Sequence, residues 1–330
     1  MGRRELSRPI VPGIQTDMTA GNKGLISSIE SYTVHDGPGC RTTIFMAGCL
    51  LQCAWCANPE TWDLRQKILY NAQKCQSGSG CTRCLGACPH GALEQKDGSL
   101  ALDWRKCKHC KTFACAEVCR PEALRVCGKW YTEEQLMARL DLDRDFWDSE
   151  GGITFSGGEP FSQPEFIKAI LTRCTRRYIH TAIETSAYAD RTIFLDIMQL
   201  IDFAFIDIKH MDPALHKQKT GADNTPVLEN IKALLHSGWA GRLILRTPVI
   251  EGYNDSPENM AATAAFMQSV GLREINLLPF HRLGESKWRQ LGKTYQYQAF
   301  PATGEEKMAA LQRILENAGL LCYVGSNTPF

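Results

Sequence analysis

Cysteine placement constrains this chain more than any other feature. Fifteen cysteines occur in 330 residues: nine between Cys75 and Cys127, three at Cys49, Cys53 and Cys56, and Cys40, Cys174 and Cys322 scattered. A chain this long, 44% hydrophobic, builds a core without covalent staples. No apolar stretch approaches the ~18 residues of a membrane helix, and no hydrophobic run follows Arg3 and Arg4 as an export signal requires. The expected compartment is the cytoplasm, where disulfides are disfavoured, so clustered thiols point to metal ligation. With 37 basic against 36 acidic residues and a net charge of +1, neither nucleic acid nor a membrane is an expected partner.

The cysteines also divide the chain. Residues 72–130 combine them with turn formers such as Gln76-Ser77-Gly78-Ser79-Gly80 and read as an inserted metal-binding domain. Residues 1–24 lack periodicity and read as a loose N-terminal arm. The remainder, 25–71 and 131–330, alternates β-rich runs with capped helical segments, the pattern of parallel βα units. Strands are expected at Thr42–Ala47, Gly152–Phe155, Tyr178–Ile183, Phe203–Ile206, Arg242–Leu245 and Glu274–Leu278. Thr132 with Gln135 predicts a capping box, Asp190 a cap for Thr192–Leu200, and Pro226 with Gly238 the two ends of another helix. Pro257–Val270 before Gly271 and Glu305–Ala318 before Gly319 complete the set. Six such units predict an α/β fold, a partial (β/α)6 TIM-like barrel, with a doubly wound sheet as the alternative.

The loop after the first of these strands reads Cys49-Leu50-Leu51-Gln52-Cys53-Ala54-Trp55-Cys56, a C-x3-C-x2-C pattern. Three thiolates at this spacing hold three irons of a [4Fe-4S] cube and leave the fourth open to chemistry. A structural zinc loop is the alternative, but it needs a fourth ligand and no histidine stands nearby. Trp55 suits packing against a cluster. Polar residues then recur where barrel strands end, the face that carries active sites. Ser156-Gly157-Gly158-Glu159-Pro160 follows the second expected strand and Glu184-Thr185-Ser186 the third. Asp207 and Lys209 follow the fourth, Arg246 closes the fifth and His281 follows the sixth.

On these residues the chain resembles the radical S-adenosylmethionine (SAM) superfamily from residue 26 to the end. The resemblance implies a radical SAM barrel in which Cys49, Cys53 and Cys56 hold the catalytic cluster and SAM chelates its open iron. Reductive cleavage would then give methionine and a 5′-deoxyadenosyl radical. Gly157, Gly158 and Glu159 match the site for the methionine end of SAM. A narrower resemblance, to glycyl-radical-enzyme activating enzymes, rests on His35-Asp36-Gly37-Pro38-Gly39 and Asp207-Ile208-Lys209. It implies that Asp207 serves the ribose or a monovalent cation, and Lys209 the SAM carboxylate. Glu184 and Thr185 match the cation-site pair, with Glu where relatives often carry Asp. Arg246 and His281 match further SAM contacts, and Asp36 would meet the partner's peptide, a local turn cap being its alternative.

The insert carries two four-cysteine sets, Cys75-x5-Cys81-x2-Cys84-x3-Cys88-Pro89 and Cys107-x2-Cys110-x4-Cys115-x3-Cys119. Their endings look like bacterial ferredoxin, in which the last cysteine of each run ligates the other cluster. That rule groups Cys75, Cys81, Cys84 and Cys119 in one set and Cys88, Cys107, Cys110 and Cys115 in the other. The unswapped pairing and a zinc ribbon are the alternatives. Three [4Fe-4S] clusters are thus expected, the extra two passing electrons from a flavodoxin or ferredoxin type donor, with structural support as their alternative role. Cys40, Cys127, Cys174 and Cys322 are expected as ordinary buried thiols. Among activating enzymes, Thr181–Ala187, Asp202–Asp212 and Leu277–Gly292 look like the branch serving arylacetate decarboxylases, the expected partner. Two other functions fit less of the pattern: a radical SAM enzyme acting directly on a small molecule or peptide, and a non-catalytic electron-transfer protein.

Overall fold

The computed structural model describes residues 22–330; the expected arm lies, up to residue 21, outside the described residues. Thirteen strands follow: β1 (Lys23–Thr33), β2 (Arg41–Met46), β3 (Lys67–Tyr70), β4 (Leu93–Lys96), β5 (Ser99–Leu102), β6 (Leu124–Cys127), β7 (Lys129–Thr132), β8 (Gly152–Gly157), β9 (His180–Thr185), β10 (Phe203–Asp207), β11 (Arg242–Val249), β12 (Glu274–Pro279) and β13 (Leu321–Val324). Nine form one sheet in the order β13-β12-β11-β10-β9-β8-β2-β1-β7. From β2 to β13 every neighbouring pair is parallel, and the spatial order follows the chain without reversal. A doubly wound sheet needs a reversal, so the winding is that of an open, partial barrel. Its seventh parallel strand, β13, is short and reads weakly in sequence.

Local chemistry explains the elements. β2 and β8 bury almost every residue, as strands covered on both faces do. The helix Glu133–Asp141 starts from the expected capping box: Thr132 Oγ1 accepts from the Gln135 amide at 3.2 Å and Gln135 Oε1 from the Thr132 amide at 3.0 Å. Asp190 caps Arg191–Met198, and Pro226 lies in the first turn of Thr225–His236. The third barrel strand begins two residues later than its sequence indicates. Tyr178 has φ +54° and closes the turn after helix Pro164–Arg176, so the extended run opens at His180. The main core lies between sheet and helices, with Phe155, Phe166, Phe194, Ile206 and Leu245 at its centre.

Between β2 and β7 the chain leaves the main sheet. β3 pairs antiparallel with β6, and β4 with β5. Short helices at Arg83–Ala87, Trp104–Cys107 and Ala114–Glu117 carry cysteines around a small core of Ile68, Leu100, Phe113 and Leu124. β3 precedes residue 72, yet it pairs within this segment.

Candidate active site

A cavity of about 250 Å³ opens at the C-terminal ends of the barrel strands. Backbone contacts fix its floor. Gly48, at φ +94°, donates its amide to Thr61 O at 2.6 Å and accepts from the Glu159 amide at 2.7 Å. Gly157, at φ +106°, passes so close to β2 that a Cβ would overlap the Met46 backbone, and one on Gly158 would overlap Gly48 O. The two glycines let three backbone segments converge beneath the cavity. The cysteine loop is anchored from above by Gln52 and Ala54, whose amides donate to Thr220 O and Lys219 O at 2.7 and 2.9 Å.

Cys49, Cys53 and Cys56 all line this cavity. Burial pushes each thiol up, Cys56 to about 12. At Cys53 the nearby Lys209 pulls the other way. Buried thiols kept protonated in this way lose their protons to a metal, and three soft donors beside an open space fit a cluster with one free iron. Among the described residues, no three His, Cys, Asp or Glu side chains are set to hold a single metal ion.

Charges alternate along the opposite wall. Arg246 Nη1 lies 2.6 Å from Glu184 Oε1, and its Nε 3.2 Å from Asp207 Oδ1. Lys209 Nζ lies 2.8 Å from Asp207 Oδ2, and Ser156 Oγ donates to Glu184 Oε2 at 2.6 Å. Burial raises the Asp207 carboxyl, but Lys209 and Arg246 outweigh it and hold the group below its usual range. Burial would neutralise Lys209, yet the Asp207 carboxylate keeps it charged. The wall thus presents fixed cations and anions that can meet a zwitterionic ligand with a cationic centre.

Comparison with known proteins decides the family. The Radical SAM superfamily profile matches residues 104–264, and a 4Fe-4S single cluster domain profile matches residues 35–83. The chain is 49% identical over 309 residues to the 4-hydroxyphenylacetate decarboxylase activating enzyme of Clostridium scatologenes, covering 93% of this chain and 99% of that one. It is 36% identical to the indoleacetate decarboxylase activating enzyme of Tractidigestivibacter scatoligenes, covering 92% and 97%. This chain belongs to the radical SAM activating enzymes. A radical SAM methyltransferase from Sphaerobacter thermophilus shares the fold, with TM-score 0.51 at 14% identity over 86% of this chain and 66% of that one.

For a radical SAM activating enzyme, the cavity gathers nearly all the residues that sequence assigned to the SAM site. Trp55, Gly157, Gly158, Glu184, Thr185, Asp207, Lys209, Arg246 and His281 line it, His281 at its exposed rim. Glu159 does not. Its carboxylate accepts from Thr185 Oγ1 at 2.6 Å, from Ser186 Oγ and N at 2.5 and 2.9 Å, and from the Phe161 amide at 3.4 Å. Only 1% exposed, it braces the end of β8 against the end of β9. Asp36 also stands apart, in a neighbouring cavity of about 240 Å³ that Arg246 and Leu278 separate from the first. Its carboxylate accepts from Thr43 Oγ1 at 2.6 Å.

Sequence reasoning missed supporting residues. Trp288 donates its indole N–H to Cys56 O at 2.9 Å, and Lys287 joins Glu60 at 2.7 Å and Asn58 at 2.6 Å. Nothing in their local spacing signals this, because partner and loop lie over 220 residues apart in the chain. In the segment between β2 and β7, burial raises the Cys84 thiol, with Cys119, Cys75 and Cys81 adding to it. Cys115 is pushed up to about 11 by burial and by Cys88, Cys107 and Cys110. Of the remaining cysteines, Cys127, Cys174 and Cys322 are buried and Cys40 is half-buried.

Proposed function

We propose that this enzyme activates an arylacetate decarboxylase of the glycyl radical type, removing hydrogen from one glycine Cα and leaving a stable backbone radical. The observation that carries the reading is the 49% identity over almost the full length of a 4-hydroxyphenylacetate decarboxylase activating enzyme. The alternating charges beside three cavity-lining thiols supply its chemistry. When bound at Cys49, Cys53 and Cys56, the cluster supplies one electron that cleaves the sulfonium of SAM into methionine and the 5′-deoxyadenosyl radical. Lys209 and Arg246 hold the carboxylate end of SAM, while Asp207 and Glu184 take its cationic and ribose groups or a monovalent cation. Gly157 and Gly158 admit its methionine backbone. Trp55, Ile250 and Phe280 exclude water from the reacting centre. Asp36, across Arg246, meets the peptide that carries the glycine.

The insert in this reading spans 72–130 and holds two further [4Fe-4S] clusters, in the swapped grouping that the neighbouring thiols favour. They receive electrons from a flavodoxin or ferredoxin type donor in the cytoplasm. The test is anaerobic incubation with SAM, reductant and 4-hydroxyphenylacetate or indoleacetate decarboxylase. Electron paramagnetic resonance (EPR) should show a doublet from the remaining α-hydrogen, and deuterium placed at that glycine should appear in 5′-deoxyadenosine. Label recovered instead from a free small molecule would overturn the assignment.

A further inference from the structure

The two cysteine sets of the insert are not equivalent in what they touch. Cys107 closes the short helix Trp104–Cys107, whose first residue projects its indole onto Gly292. Gly292 has φ +66°, and a Cβ there would overlap the Trp104 ring, so only glycine leaves the seat open. Gly292 ends the turn after helix Glu285–Gln290, which carries Trp288. Trp288 holds Cys56 O and packs edge-on against Trp62, with ring centroids 5.0 Å apart. A second tie lies alongside, where Arg65 Nη1 donates to Lys108 O at 2.9 Å. Among the described residues, neither set is hydrogen-bonded to the 280–300 segment, and the Trp104 indole on Gly292 is the contact by which the helix of Cys107 meets it.

We propose that the set Cys88, Cys107, Cys110 and Cys115 is the inner station of the electron route, and that Trp104 seated on Gly292 is the positioning contact joining it to the Cys49/Cys53/Cys56 loop. This rests on the reading that both sets hold clusters. The step moves one electron and no atoms: the inner set is oxidised by one, the SAM-binding loop is reduced by one, and a low-potential flavin or iron–sulfur donor replaces the electron. The set with Cys75 lies outside this path.

Rapid-freeze EPR on the reconstituted holoenzyme with SAM, reduced by photoreduced deazaflavin, resolves the insert signals from the signal of the SAM-bound site. Trp104→Ala and Gly292→Val should keep iron content, SAM binding and insert reduction. They should slow appearance of the SAM-site signal severalfold, because electron transfer weakens steeply as the two sites are moved apart. Trp104→Phe should recover most of the rate, and Arg83→Ala beside Cys84 should leave it unchanged. Unaltered transfer in both Trp104→Ala and Gly292→Val, with insert clusters present, would overturn this inference alone. An insert that binds zinc in the wild-type protein would overturn the two-cluster reading and this inference with it.

Discussion

Arg246 reaches Asp207 with its Nε at 3.2 Å while Lys209 takes the other oxygen of the same carboxylate at 2.8 Å. One anion therefore holds two cations in the wall of the cavity, and both point into the space where SAM would lie. Because burial alone would neutralise Asp207 and its cations prevent this, the group remains ionised at any working pH.

Asp207→Asn removes that shared charge. Two buried cations would be left with Glu184 alone, at a cost of about 3 kcal/mol in stability. The SAM affinity of the reconstituted enzyme should fall about tenfold or more, since a 1.4 kcal/mol loss already gives that factor. Isothermal titration checks it, and unchanged affinity would remove Asp207 from the cofactor site.

Cys53→Ala addresses the reactive thiols. Its three-cysteine loop is separate in sequence from the insert, so the variant should lose about four of roughly twelve irons and all 5′-deoxyadenosine formation. Iron assay and product chromatography decide it. Roughly four irons with stoichiometric zinc in the parent protein would instead remove the clusters from the insert.

Glu159 is the residue whose role differs most from its motif. The Gly-Gly-Glu-Pro run led to it as a ligand contact, but its oxygens are already taken by Thr185, Ser186 and Phe161. Glu159→Gln weakens these bonds and should cost about 1–3 kcal/mol, seen as a lowered melting temperature. SAM affinity should change far less than in Asp207→Asn. The opposite ranking would return Glu159 to the binding site.

Much of this architecture was legible because strong local signals and tertiary structure agree. Five expected strands open within one residue of their observed starts, and Thr132 and Gln135 form their capping box. β1 was not legible: its half-buried positions include Ser27, Ser31 and Thr33 while Tyr32 faces outward, so no apolar alternation marks the strand. Residues that line the cavity were readable at strand ends, since the barrel delivers those ends to one face. The direction of the Glu159 carboxylate, the Trp288 bond to Cys56 and the Trp104 seat on Gly292 depend on distant packing and leave no local pattern.

Asp143 provides an acid-sensitive brace beneath the sheet. Its carboxylate accepts from Ser31 Oγ at 2.6 Å and Thr42 Oγ1 at 2.9 Å and pairs with Arg139 at 3.0 Å. Burial raises this carboxyl, but those partners together lower it beneath the ordinary 3.8. A depressed folded-state value stabilises above the unfolded value and is lost as pH falls through the folded one. Asp143→Asn should therefore unfold at lower urea at neutral pH, by about 1–3 kcal/mol. The gap to wild type should narrow only below pH 3.8. A gap constant to lower pH would show that the pair carries no net charge effect.

Asp36 tests how the partner reaches the radical. Its cavity adjoins the first through Arg246 and Leu278, so a peptide lying there would end next to the SAM wall without displacing the cysteine loop. Thr43 Oγ1 holds one carboxylate oxygen, and Thr154 Oγ1 donates to the Asp36 backbone carbonyl at 2.9 Å. The carboxylate is thus fixed in direction while its second oxygen has no partner among the described hydrogen bonds. Asp36→Asn should keep the fold, SAM affinity and uncoupled SAM cleavage, but raise the KM for the partner decarboxylase about tenfold, the loss of one charged hydrogen bond of about 1.5 kcal/mol. Thr43→Val, which frees the carboxylate to turn, should have a smaller effect in the same direction. Quantifying the glycyl radical against 5′-deoxyadenosine formed separates the two functions. Equal loss of both in Asp36→Asn would place this residue in the cofactor site, and no loss of either would leave it a turn cap.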